Sequence, residues 1–276
     1  MAGQGDFDWA VPVMRTGYAG RALVYIVVAG ISLWAILHGG QGQGTSSAFA
    51  RLESAPFGKV VLFAIFVGMV AYAIWRLVDA IWDLETYGSD GEGMIARVGM
   101  CVTGLIHLAI GIGALLIVFT ASGGDGQSSI SKAAEVVLGW PGGRWILGAM
   151  GLATIGAGLY YGKKAYKREY RKHLRSNEVT RRWDGLLRLG VLSQGFVVTV
   201  IGFFIFYAAW AYNSQSAGGL AEVFSWLSGQ PYGQILVGLL SLGLLCFALF
   251  CAVNAGYRIV PRASDPDIET LKGAFS

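Results

Sequence analysis

The chain has 276 residues, and its 14% of charged residues falls well short of the roughly one quarter usual in soluble domains. With 54% hydrophobic residues, it excludes an ordinary aqueous fold and requires segments that live in lipid. A formal net charge of +4, with no nucleic-acid-binding motif beside it, makes no case for DNA or RNA as a partner.

In chain order, six stretches reach the roughly 20 residues that a helix needs to span hydrocarbon, at about 22–38, 60–82, 98–120, 145–162, 189–212 and 234–257. The fourth is the shortest, and it is expected to run on into Lys163, its lysines reaching for the interface. The stretches recur as pairs. Arg15-Thr16-Gly17, Arg97-Val98-Gly99 and Arg188-Leu189-Gly190 precede the odd runs, whereas Pro56-Phe57-Gly58, Pro141-Gly142-Gly143 and Pro231-Tyr232-Gly233 precede the even ones. Arg and Pro are 41, 44 and 43 residues apart, so the register barely drifts. The expected fold is therefore all-α: six transmembrane helices in three parallel two-helix repeats, at about 9–85, 94–168 and 184–260, related by a pseudo-three-fold axis. The whole, 1–276, is expected to form one integral membrane domain. Parallel repeats differ in parity from the inverted repeats of many transporters.

The first 50 residues could pass for a secretory signal, with Ala48-Phe49-Ala50 as a small-x-small site. That site lies far beyond the apolar run, and the run matches the first helix of the other copies, so no cleavage is expected. Seventeen of the 21 Lys and Arg residues fall on one side of the spans, ten of them between Lys163 and Arg188. That side should be cytoplasmic, with both termini. Trp34, Trp140, Trp145, Trp210 and Trp226 should mark the opposite interface, and Trp9, Trp75, Trp82 and Trp183 the basic one.

Each outer connection opens on a Gly/Ser-rich segment (Gly39–Gly42, Ser122–Gly124, Ala217–Gly219) and continues in an amphipathic stretch. These stretches, 48–52, 130–137 and 220–227, read as short interfacial helices ended by the proline, with the glycine giving a sharp entry into the next span. Gly158/Gly162, Ala149/Ala153/Ala157 and Ala248/Ala252/Gly256 are small-residue stripes suited to close helix packing in lipid. Cys101, Cys246 and Cys251 lie in helices and read as small buried hydrophobes.

Steps of four from the repeated glycine follow one helix face. They give a candidate intramembrane polar stripe of Arg21 and Tyr25 in the first copy, Thr103 and His107 in the second, and Gln194 in the third. His107 lies about 15 Å beyond Arg97 along the helix, near mid-bilayer, where an ionisable group is a functional-site hypothesis. The alternative is a neutral histidine bonded to a neighbouring helix. Haem is not the first choice: two axial histidines would need similar depths, and His38 and His173 lie near opposite boundaries. No cofactor and no metal are expected.

Arg15, Arg97 and Arg188 either snorkel to lipid phosphates or form a three-fold ring for an anion. Together with Lys163, Lys164, Lys167 and Arg168 they are candidate contacts for anionic lipid at the cytoplasmic face. Arg76 and Asp79 are spaced as a structural ion pair. Gly123-Gly124-Asp125-Gly126 carries one carboxylate, too few for calcium, and the usual catalytic signatures do not occur.

Arg15 to Tyr25, Ala71 to Arg76, Pro231-Tyr232-Gly233 and Gly256-Tyr257-Arg258-Ile259 resemble a bacterial membrane family, domain-of-unknown-function family 1206. The second copy diverges, with Met100 and His107 where the first has Tyr18 and Tyr25. The resemblance implies a bacterial inner-membrane protein of six helices and assigns no activity. The functional expectation is a non-enzymatic scaffold or accessory subunit with lipid, a membrane protein or a second copy as partner. The alternative is a small channel or transporter along the pseudo-three-fold axis.

Overall fold

The computed structural model describes residues 7–120, 128–262 and 270–275, and among these the regular elements are helical. They are α1 (Ala10–Leu37), α2 (Thr45–Glu53), α3 (Gly58–Trp82), α4 (Gly91–Thr120), α5 (Ser129–Leu138), α6 (Gly143–Tyr166), α7 (Glu178–Arg182), α8 (Asp184–Ala211), α9 (Leu220–Ser228) and α10 (Gly233–Tyr257). Five of them (α1, α3, α4, α8 and α10) are long and apolar enough to cross a membrane. The sixth long helix, α6, has 24 residues and is about 36 Å long, but glycines at 143, 148, 151, 156, 158 and 162 dilute its hydropathy. The Gly/Ser start of the second outer connection and the Gly123–Gly126 run lie outside the described residues.

Odd helices start well before the apolar runs: α1 at Ala10 and α4 at Gly91. The first turns of α1 are covered, since Ala10 and Met14 are fully buried. The repeated Arg-x-Gly therefore lies inside a helix in every copy and does not mark its beginning. Pro-x-Gly does mark a beginning. The residue after proline is left-handed each time (Phe57 φ 62°, Gly142 φ 75°, Tyr232 φ 61°), and the following glycine opens the helix. A Cβ on Gly58, Gly143 or Gly233 would strike a carbonyl at the end of the preceding short helix, Leu52, Val137 or Ser228. Glycine is needed there for space, while the left-handed strain of roughly 1 kcal/mol is borne by Phe57 and Tyr232.

The long helices pack in the order α4–α3–α1–α10–α8–α6. The repeated glycines explain this order. A Cβ on Gly17 would come within 2.6 Å of the Tyr72 backbone on α3, and one on Gly190 within 2.5 Å of the Cys246–Phe247 backbone on α10. One turn on, a Cβ on Gly20 would reach Gly68 Cα at 2.5 Å, and Gly243 sits against Ser193 in the third copy. The first and third helix pairs thus close at two matched crossing points, where small residues let backbones approach. In the second copy the matching pairs are Gly99 with Ala157 and Val102 with Ala153, counted from the repeated Arg and Pro. Neither closes: nothing lies within 4 Å of a Cβ built on Gly99, Val102 is 51% exposed, and both alanines are exposed. The branched Val102 stands where the other copies have Gly20 and Ser193, too wide for such a crossing. As a result α4 packs on α3 and α6 on α8, while α4 and α6 are not a packed pair. The expected small-residue stripe Ala149/Ala153/Ala157 faces outward.

On the face away from the basic loops, α2, α5 and α9 form at the three amphipathic stretches. They meet one another: Gly44 abuts Ala221, Gly219 abuts Ile130, and the Ser131 hydroxyl donates to the Ala217 carbonyl. The tryptophans placed at this boundary are exposed, as are Trp9, Trp82 and Trp183 at the other. Trp75 departs from the expected belt: it is fully buried between helices. Its position on the inward face of α3, beside the equally buried Tyr72, outweighs its proximity to the boundary.

Candidate functional site

At the centre of the bundle, α1 carries Arg21 inward. The side chain is only 4% exposed and has no carboxylate partner. Its Nη1 donates to the Tyr72 hydroxyl at 3.0 Å, while Nε is buried with nothing to bond. Three ring centroids surround its guanidinium: Phe247 at 5.0 Å, Tyr72 at 5.2 Å and Tyr25 at 5.9 Å. Cation–π contact of this kind offsets part of the cost of keeping the charge out of water.

Below Arg21, towards the basic face, lies a chamber of about 30 Å³ lined by Tyr18, Arg76, Tyr161, Lys164 and Arg258, with Val191 and Phe250 completing the wall. Such a volume admits a few hydrogen-bonding atoms. Arg76 donates to Tyr72 (3.0 Å) and Tyr18 (3.1 Å) and stands 3.5 Å from Asp79. One phenolic oxygen, that of Tyr72, thus accepts from two guanidinium groups. Four cations line or cap the chamber, and the nearby carboxylates are Asp79, beside Arg76, and Glu85, beside Arg258. Arg21 and Lys164 have no carboxylate within ion-pair distance among the described residues.

The mouth of the chamber is a lock made by three separate segments. Glu85, just after α3, holds Arg258, at the end of α10, through two hydrogen bonds of 2.6 Å, and Asn254 takes a third. The loop after α6 pairs with the chain after α10: Arg175 N to Tyr257 O at 2.9 Å, Ile259 N to His173 O at 2.9 Å, and Leu271 N to Leu174 O at 2.7 Å. Asp184 accepts from Tyr170 and from both sides of the Arg171 fork. Burial works against the Glu85 charge, but Arg258 and its hydrogen bonds prevail and hold the carboxyl far below the usual range. Burial pushes His173 down to about 3, so it stays neutral while it stacks on Tyr87. Both groups bind fewer protons folded than unfolded. Their joint contribution to stability should be constant above about pH 6.5 and fall as His173 begins to charge in the unfolded chain, then fall further below about pH 4.5 through Glu85. Thermal unfolding at pH 5 and pH 7.5 checks this, and His173→Phe should remove the upper part of the slope.

The sequence-derived stripe divides. Arg21 and Tyr25 are in contact, and His107 on α4 joins them through Tyr72, whose ring centroid is 4.7 Å away. His107 donates from Nδ1 to the Thr103 carbonyl at 2.7 Å, so it is tied within its own helix. Gln194 is buried with Oε1 unpartnered. Thr103 instead turns its hydroxyl to Gly99 O, on the open side of α4. Arg15, Arg97 and Arg188 sit in three different environments: Arg15 is exposed, Arg97 binds the α3 carbonyls of Ala80 and Ile81, and Arg188 is half-buried. Of the basic run, Lys163, Lys167 and Arg168 are exposed and Lys164 turns into the chamber wall. Sequence reasoning passed over Tyr18, Tyr72, Glu85 and Arg258 as site residues. Three of them lie within the segments that carry the family resemblance, whereas nothing local to Glu85 announces its partner 173 residues away.

Long apolar helices in recurrent pairs, with basic loops on one side, define a multi-pass membrane protein. The family model described as Domain of Unknown Function (DUF1206) matches residues 16–83, 98–168 and 189–258, and the chain belongs to that family. It is 24% identical over 254 residues to "Uncharacterized protein YxxB" of Bacillus subtilis (strain 168), covering 91% of this chain and 92% of that one. It is also 27% identical over 241 residues to "Heme A synthase" of Jannaschia sp. (strain CCS1), covering 84% of this chain but 52% of the relative. No solved structure matches the chain.

Proposed function

We propose that the protein is a six-span inner-membrane protein with pseudo-three-fold repeats that works by binding, as a scaffold or accessory subunit, without catalysing a reaction. The observation that carries this reading is the plug around Arg21. Beyond the aromatic cage, towards the other face, lie buried Val28, Ala29, Leu62, Ile65, Leu240 and Leu244, an apolar seal that closes the chamber towards that face. A path along the axis, as a channel or transporter needs, would have to displace these side chains. The α6 length of about 36 Å supports a sixth span, since hydrocarbon is about 30 Å thick. The placement of Lys and Arg supports a cytoplasmic basic face.

The residues present do not fit a haem, despite the similarity to half of a haem A synthase. His107 is packed on Tyr72 with Nδ1 engaged, the chamber is far smaller than a macrocycle, and His38 stacks on Trp34 at the opposite face. Proteoliposomes should show no ion or solute flux above empty vesicles, and His107→Ala should change nothing in that assay. Flux lost in this variant would sink the binding-only reading. In whole cells, a cysteine at the exposed position 172 should be closed to an impermeant thiol reagent; labelling from outside would refute the orientation.

A further inference from the structure

We infer that the chamber binds the phosphate of an anionic glycerophospholipid, whose headgroup enters sideways through the seam between α4 and α6. The inference rests on the membrane-spanning reading above and adds the ligand.

Three observations converge. The first is the unmatched charge. Arg21 is almost fully buried, its Nε has no partner, and the carboxylates near the chamber are already engaged with Arg76 and Arg258. Arg21 and Lys164 are left as a pair of cations around a small polar space, one on α1 and one on α6. A phosphate oxygen supplies what both lack, an acceptor with negative charge, and Arg and Lys are suited to it as fork and point charge.

The second is the route. The first and third helix pairs are sealed by their glycine crossings, and only the second pair is open. One of its walls, α6, lines the chamber, and the other, α4, reaches the site through His107. On α6, Ala157, Tyr161 and Lys164 lie at successive turns of one face, the last two lining the cavity. On α4, Gly99 is one turn from Thr103, which is one turn from His107 beneath Tyr72. A bilayer leaves no such gap empty, and the exposed Ala149, Ala153 and Ala157 offer an acyl chain a shallow apolar track.

The third is the closure of the other entrance. Glu85–Arg258 and the paired chain segments cover the chamber from the basic face, so a diffusing anion meets the lock while a lipid within the leaflet meets the seam.

The protein, purified in a mild detergent from membranes doped with phosphatidylglycerol and phosphatidylcholine, should retain one phosphatidylglycerol in native mass spectra. Arg21→Met should lower that retention about tenfold or more, the effect of losing one charged hydrogen bond. Ala157→Phe, which blocks the seam without touching the chamber, should lower it as much while leaving the melting temperature unchanged. Retention unaffected by Ala157→Phe, or equal retention of phosphatidylcholine, would overturn the inference. So would inorganic phosphate that protects wild type and Ala157→Phe equally against thermal unfolding, since the source would then be free phosphate. Flux in proteoliposomes bears on the binding-only reading and is independent of these outcomes.

Discussion

Valine at position 17 or 190 should cost about 3 kcal/mol, whereas valine at 99 should cost nothing measurable. All three positions hold the same glycine of the same motif, so a reading based on the repeat alone predicts equal effects. The packing predicts otherwise. Side chains at 17 and 190 would press on the backbones of α3 and α10, which cannot yield without separating the helix pair. A side chain at 99 meets open space, and replacing a helical glycine even removes a conformational penalty. Thermal unfolding of the three variants in one detergent reads the contrast. A loss at 99 as large as at 17 would mean that the second pair is closed.

Glu85→Ala should be the second severe change, about 3–5 kcal/mol, because it strands Arg258 as a buried charge. The pair joins the end of α3 to the end of α10, and the strand-like pairing of residues 174–175 with 258 and 270 hangs from the same junction. Losing the carboxylate should therefore expose the chain beyond residue 258 to protease before the bundle melts. Arg258→Met alone should be comparably severe, leaving Glu85 unpaired. The double variant Glu85→Leu/Arg258→Met should recover most of the loss, since a well-packed apolar pair avoids the desolvation that the ion pair suffers. Additive losses in the double variant would contradict this account of the lock.

Much of the architecture can be read from the chain because its punctuation is local. Proline followed by a residue and glycine dictates a left-handed step and a helix start, and the same three-residue logic operates at 56, 141 and 231. Amphipathic stretches between long apolar runs have few alternatives to short interfacial helices, and helices of 9, 10 and 9 residues form there. Helix starts on the basic side were less accessible. They follow protein burial of Ala10 and Met14 and not the edge of the hydrocarbon, so hydropathy places them too late.

The site was half accessible. Stepping by four from the repeated glycine finds Arg21, His107 and Gln194 because helix geometry puts them on one face. What they face depends on partners far along the chain: Tyr72 for Arg21 and His107, and Glu85 for Arg258. Likewise Val102 looks unexceptional in an apolar run. It acquires meaning only beside Gly20 and Ser193, as the residue that keeps the second pair from crossing as the others do. The divergence of that copy, first visible as Met100 and His107 in place of tyrosines, is in three dimensions an opening in the bundle.

Disulfide trapping tests this opening most directly. In a variant with Cys101, Cys246 and Cys251 replaced by serine, Gly99→Cys/Ala157→Cys should stay reduced in the membrane under an oxidant that drives pairs with Cα atoms within about 7 Å to completion. Rapid, complete cross-linking of 99 to 157 would mean that α4 and α6 are packed like the other two pairs, and both the seam and the lateral route to Arg21 would have to be given up.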